Sequence, residues 1–264
     1  MIPDLLYDLP LWLLGAVISG LAVAVTLAAY AGFRRIVRRE FDSDDRGVAM
    51  AVLSVVATIT SLLLAFSAVS VWESFQSADE AVVHEADTIA ELARDLAVYD
   101  SAESRHAREV LRQYIQLVAD KEWEDMRTGQ ASAEAWATAD NIFRAVGTIE
   151  PDTLKRQALL PEIWARTNEL VGHRRDHLYT SESEVPATLW LVVLAGCMLT
   201  MANMFVLPPS SFNISMIAAL AFSLGLVFFF VIAMDRPFAG RESISDEPFR
   251  SALENMQRWD DQTP

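Results

Sequence analysis

Four apolar runs, residues 11–33, 48–72, 187–207 and 214–234, contain no Asp, Glu, Lys, Arg or His. At about 1.5 Å of helical rise per residue, each is long enough to cross a hydrocarbon core about 30 Å thick. A core helix of a soluble protein seldom goes 21 residues without a charge, and four such runs in one chain exclude a soluble fold. The expected class is all-α: an integral membrane protein with four transmembrane helices, the second continuing into a helical extramembrane domain. The first ten residues lack a basic region and the apolar run after them is too long for a signal peptide, so no cleavage is expected.

The second run organises the chain. From Gly47 it passes without Gly or Pro into ESFQSADEAVVHEADTIAELARDLAVY, so one helix should leave the bilayer and continue to about Tyr99. Its membrane part carries six hydroxyls (Ser54, Thr58, Thr60, Ser61, Ser67 and Ser70), against Ser19, Thr26 and Tyr30 in the first span. Polar groups in hydrocarbon seek partners, so this helix should be central. Gly47, Ala51, Ser54, Thr58, Ser61, Ala65 and Ala68 recur at spacings of three and four. Two readings of this stripe stand side by side: close helix packing through small residues, or a pore-lining face.

The remaining boundaries follow from charge and helix signals. Residues 1–72 hold spans one and two with an Arg-rich loop, 73–184 an acidic helical domain, 185–234 spans three and four, and 235–264 a polar tail. The net charge of −15 is concentrated in 73–184, where 23 acidic residues face 12 basic ones. An acidic surface argues against nucleic acid. Ser101 or Asp100, Ser132 and Pro151 read as helix starts, Gly129 and Gly147 as helix ends, and Pro161 as a kink or break. Asn203 should bond a neighbouring helix, and Pro248, Phe249, Leu253 and Met256 suggest a short docking helix. The single cysteine, Cys197, lies inside span three and permits no intrachain disulfide.

Chemistry-bearing patterns are sparse. His173 and His177, four apart, would share a helix face, but Arg174 and Arg175 lie between them and no further ligand accompanies them, so exposed histidines are expected rather than a metal centre. His84–Glu85 carries a similarly weak signal. Glu122, Glu124 and Asp125 read as a solvated helix end. No phosphate loop, dinucleotide fingerprint or nucleophile elbow occurs, and no span carries the charge or break a transporter site needs. Neither an enzyme nor a cofactor is expected.

Several segments taken together resemble a bacterial family of four-span membrane proteins described as bestrophin-like. They are YDLPLWL at 7–13, LLLAF and VW within 62–72, HEAD at 84–87, EWEDMRTG at 122–129, VPATLW at 185–190, and DRPFAG with EPF within 235–249. The stretch LAFSAVSVWESF also resembles the second helix of bestrophins proper, which are pentameric anion channels with that helix around the pore. The resemblance implies a homo-oligomer in the bacterial plasma membrane, a pentamer if the likeness is close, with ions as permeant species. Ser54, Thr58, Ser61 and Ala65 would face the pore, and Phe66 would contribute a constriction. The sequence departs from bestrophins in having no acidic calcium-clasp pattern. The other function left open is a non-conducting sensor or scaffold whose acidic domain binds a partner. Sidedness is divided: the arginine loop between the first two spans places the acidic domain outside, and the bestrophin likeness places it inside.

Overall fold

In a computed structural model, residues 9–37, 41–127, 132–181, 185–241 and 243–262 are described, and no strand occurs among them. The helices are α1 (Leu11–Ile36), α2 (Ser43–Tyr99), α3 (Ala102–Leu117), a π-helical turn (Val118–Glu122) and α4 (Trp123–Arg127). They continue with α5 (Ala133–Gly147), α6 (Leu154–Ser181), α7 (Ala187–Met204), α8 (Ser211–Met234) and α9 (Glu247–Gln262). Four of these, α1, α2, α7 and α8, are long and apolar enough to span a membrane. Arg38, Arg39 and Gly129 lie outside the described residues.

The chain divides into two compact units. The first holds Met1–Glu73, Glu184–Arg236 and Gly240–Glu242; the second holds Ser74–Ser183, Pro237–Ala239 and Ser243–Pro264. Helix α2 contributes to both. It starts at Ser43, four residues before Gly47, because Asp42 accepts the Asp45 N–H at 2.7 Å and caps it. It stops where Asp100 turns into the left-handed region, at φ 49°.

In the membrane unit, α1 and α8 form the tight pair. A methyl group on Gly225 would lie 2.6 Å from the Ser19 Cα, so only glycine allows this approach. Helix α2 buries Thr60, Leu64, Ser67 and Val71, spaced four, three and four apart, and meets α7 through Thr60 and Leu64. A methyl group on Gly196 would meet the Thr60 Oγ1 at 2.8 Å, and the Thr200 hydroxyl donates to that oxygen at 3.3 Å. The expectation that α2 is central does not hold within one chain: 11% of its most apolar stretch is buried, against 17–28% for the other spans. Asn203 does not reach a neighbouring helix either; its amide donates to the Leu199 carbonyl of its own helix at 2.8 Å.

The second unit is a helical bundle. Ala78, Val82, Ala86, Ile89, Leu92 and Leu96 of α2 pack against Leu111 and Ile115 of α3, Ile142 and Val146 of α5, and Ile163 and Leu170 of α6. Ser101 caps α3 in a reciprocal box with Ser104, and the Ser132 hydroxyl accepts from Ala135 N–H at 3.3 Å. Helix α6 begins three residues beyond Pro151, with the Thr153 hydroxyl accepting the Arg156 N–H. It continues through Pro161 instead of breaking there. Helix α9 belongs to this unit, seating Phe249, Ala252 and Met256 in its core while Asp260 receives Arg108 and Arg112.

Candidate functional site

Two features bear on function, and the first is the uncovered face of α2 in the membrane unit. Ser54, Thr58, Ser61 and Ala65 lie on one stripe, and all four are exposed. The stripe is therefore not the packing face within the chain; the face made by Thr60, Leu64, Ser67 and Val71 does that. The hydroxyls of Ser54, Thr58 and Ser61 donate to the carbonyls of Met50, Ser54 and Ala57, at 3.0, 2.7 and 2.6 Å. With their protons committed to the helix, these side chains turn oxygen lone pairs outward. Phe66 is also exposed, but one residue on from Ala65 it is rotated by about 100° around the axis. It joins Val55, Ile59 and Leu62 on an apolar flank, so the structure does not bring it onto the hydroxyl stripe.

The second feature is a buried charge cluster in the other unit, made by Glu85, Tyr114, Glu122, Arg174 and His177, each with essentially no solvent exposure. Arg174 grips both oxygens of Glu122, at 2.7 and 3.0 Å, and donates to the Tyr114 hydroxyl at 2.8 Å. The Tyr114 hydroxyl donates to Glu85 Oε1, and the other Glu85 oxygen lies 2.7 Å from His177 Nδ1. The Ser132 N–H adds a bond to Glu122. Trp136 and Tyr114 stack on the guanidinium at 5.0 and 5.3 Å. On its far side the His177 ring meets Phe238, Trp123 and Phe249 at 5.3, 5.6 and 6.1 Å. The two phenylalanines belong to the segment after the fourth span, and the cluster thereby ties that segment to α2, α3 and α6.

Electrostatics agree with this arrangement. Burial, reinforced by the charge of Glu85, pushes the Tyr114 phenol well above its ordinary range. Burial acts against the charge of Arg174, but Tyr114, Glu122 and Glu85 outweigh it and hold the guanidinium more basic than usual.

These residues correct two expectations. Glu122 is not a solvated helix end: the π turn carries it inward, and wide turns of this kind commonly aim a side chain at a particular place. His177 is not an exposed histidine, and it does not pair with His173, whose ring instead stacks on His84 of α2 at 5.5 Å. Among the described residues no group of three or more His, Cys, Asp or Glu is placed to hold a metal ion. The sequence did carry a signal for the cluster. Ile163, Thr167, Leu170, Arg174 and His177 follow one stripe at spacings of four and three, as do Val82, Glu85, Ile89 and Leu92, so charges stand on core positions.

Comparison with known proteins now places the chain. The family description "Bestrophin-like domain" matches residues 20–249, which is most of the sequence. The chain belongs to the bestrophin-like family. Three crystal structures share its fold at a TM-score of 0.66 and 10% identity. One is described as a membrane protein, and two are variants of a bacterial bestrophin homologue from Klebsiella pneumoniae. The matches cover 92–93% of this chain and 97% of those chains. At that identity the likeness concerns the fold. A comparison with curated proteins finds no match. HEAD and EWEDMRTG, two segments that carry the resemblance, supply Glu85 and Glu122 to the buried cluster.

Proposed function

We propose that this bestrophin-like protein is the subunit of an oligomeric membrane channel, with α2 of each copy around the axis and Ser54, Thr58, Ser61 and Ala65 facing the pore. The carrying observation is that the most hydroxyl-rich span is the one its own chain leaves most exposed. A polar stripe facing hydrocarbon is unfavourable, and a ring of copies removes it from lipid while giving it water. On this reading Phe66 lies to the side of the lumen, on the flank facing a neighbouring copy. The bestrophin likeness implies anions. The outward lone pairs and the acidic charge of residues 73–184 favour cations instead, and cation preference is the expectation here.

Native mass spectrometry in nanodiscs gives the subunit count, and planar bilayers give the current. Thr58→Trp and Ser61→Trp should each lower unitary conductance at least several-fold, while Leu191→Trp, on an exposed lipid-level position of α7, should leave it unchanged. The reversal potential in a potassium chloride gradient should move toward the potassium equilibrium value. A monomer without current, or full conductance with both tryptophans in place, would sink the pore assignment and favour a partner-binding role.

A further inference from the structure

The buried cluster of the second unit does not balance its charges with Arg174 alone. Glu85 and Glu122 bring two carboxylates, and Arg174 brings one guanidinium, which grips Glu122. Tyr114 adds no charge, because burial holds the proton on its phenol. An unmatched negative charge in a dry interior is costly, so Glu85 calls for a cation of its own. His177 is placed to supply it: its Nδ1 lies 2.7 Å from Glu85, and neither side chain is exposed.

The second ring nitrogen points the same way. Among the described residues, Nε2 of His177 is buried without a hydrogen-bond partner. In a neutral ring whose Nδ1–H donates to Glu85, Nε2 is a lone pair facing aromatic rings that offer it no donor. In an imidazolium, the carboxylate holds one N–H, and the positive ring lies among Phe238, Trp123 and Phe249, at 5.3, 5.6 and 6.1 Å. Aromatic rings at about 6 Å attract a cation. The charged and titratable groups around the ring are Glu85 of α2 in direct contact, with Tyr114 of α3, Glu122 of the π turn and Arg174 of α6 behind it. From α4, the segment after the fourth span and α9 come Trp123, Phe238 and Phe249, none of which titrates. His173, one turn earlier on α6, stacks on His84 instead. The same aromatic residues seat the segment that follows the fourth span. Trp123 Nε1 donates to the Ile244 carbonyl at 3.1 Å, and the Ile244 N–H donates to the Pro237 carbonyl at 2.8 Å. Phe238, Ile244 and Phe249 are all buried.

We propose that His177 is a proton-dependent latch on this segment. As an imidazolium it neutralises Glu85 and holds Phe238, Ile244 and Phe249 on the helical bundle. When it gives its proton to water, Glu85 is left unmatched in the core, and the segment is released so that water can reach the carboxylate. The latched state binds the proton more tightly than the released state, so acid closes the latch and rising pH opens it. Histidine ordinarily changes charge between about pH 5 and 8, which sets the range to search. The latch is independent of conduction, since a protein that passes no ions can hold and release the same segment.

Hydrogen–deuterium exchange of the full-length protein in nanodiscs tests it, read in peptides containing Ile244 and Phe249 and corrected for the intrinsic pH dependence of amide exchange. Between about pH 5.5 and about pH 8.5, wild type should lose protection there several-fold. Glu85→Gln leaves Glu122 and Arg174 as a balanced pair and should stay protected at both ends of the range. His177→Gln should be poorly protected at both ends, and His173→Gln should match wild type. Circular dichroism separates an unlatched variant, which keeps its helix content, from an unfolded one. If His177→Gln does not fold, wild type and Glu85→Gln still decide. Wild-type protection that is constant across the range overturns the latch. So does a wild-type response in Glu85→Gln or His177→Gln, or a response lost in His173→Gln.

Discussion

Tyr114 joins the two halves of the buried cluster: it accepts from Arg174 and donates to Glu85, so neither charge has to meet the other directly across 3.8 Å. Its phenol is held above the ordinary value of 10.0, so the folded state binds the proton more tightly than the unfolded chain does. The stability this contributes is complete below about pH 10 and is lost as pH rises past that point toward the folded value. Unfolding followed from pH 8 to 12 should show a decline beginning near pH 10 that is shallower in Tyr114→Phe, where Tyr99, also raised by burial, still contributes. At neutral pH the same substitution leaves one carboxylate oxygen and one guanidinium N–H short of a partner, a loss of about 1–3 kcal/mol. Arg174→Ala is more severe, about 3–5 kcal/mol, because it strands Glu122 as an uncompensated buried charge. A decline at high pH that is identical in wild type and Tyr114→Phe would show that the phenol does not carry it.

At the scale of the elements, what separates the legible from the hidden is whether a signal extends over many residues. The four spans declare themselves because each is long and charge-free, and α2 continues past the bilayer because no residue in it breaks a helix. Ser101 and Ser132 mark helix starts through local hydrogen bonding that residue type alone indicates. The π turn at Val118–Glu122 has no such mark, and without its extra residue per turn Glu122 reads as surface. Close helix approaches hide for a related reason, since a span glycine has no signature telling whether a neighbour lies against it. The structure separates them. Gly225→Ala puts a methyl group 2.6 Å from the Ser19 backbone and forces α1 and α8 apart, whereas Gly20→Ala has nothing within 4 Å. Thermal unfolding in detergent should show Gly225→Ala weakened by about 1–3 kcal/mol. Gly20→Ala should be neutral or stabilised by up to about 1 kcal/mol. Equal behaviour of the two would mean that α8 does not sit in the Ser19 notch.

At the scale of the whole molecule the open quantity is which side of the membrane carries residues 73–184. The positive-inside bias is read from short loops close to the spans, since long domains cross largely regardless of their charge and acidic residues count little. The acidic excess of the second unit therefore has small weight, and the comparison reduces to two short segments. Between the first two spans stand Arg34, Arg35, Arg38, Arg39 and Arg46; after the fourth stand Arg236 and Arg241, with Arg250 and Arg258 farther off. Five against two favours a cytoplasmic loop and an outward second unit, the reverse of what the bestrophin likeness implies. The sole native cysteine, Cys197, is buried in a span, so introduced cysteines can be read against little background. Ser77→Cys on the exposed surface of the second unit should react with a membrane-impermeant maleimide in intact cells. Ser43→Cys at the start of α2 should react only after permeabilisation. The reverse pattern would put the second unit inside and show that the arginines at 34–46 do not set the orientation.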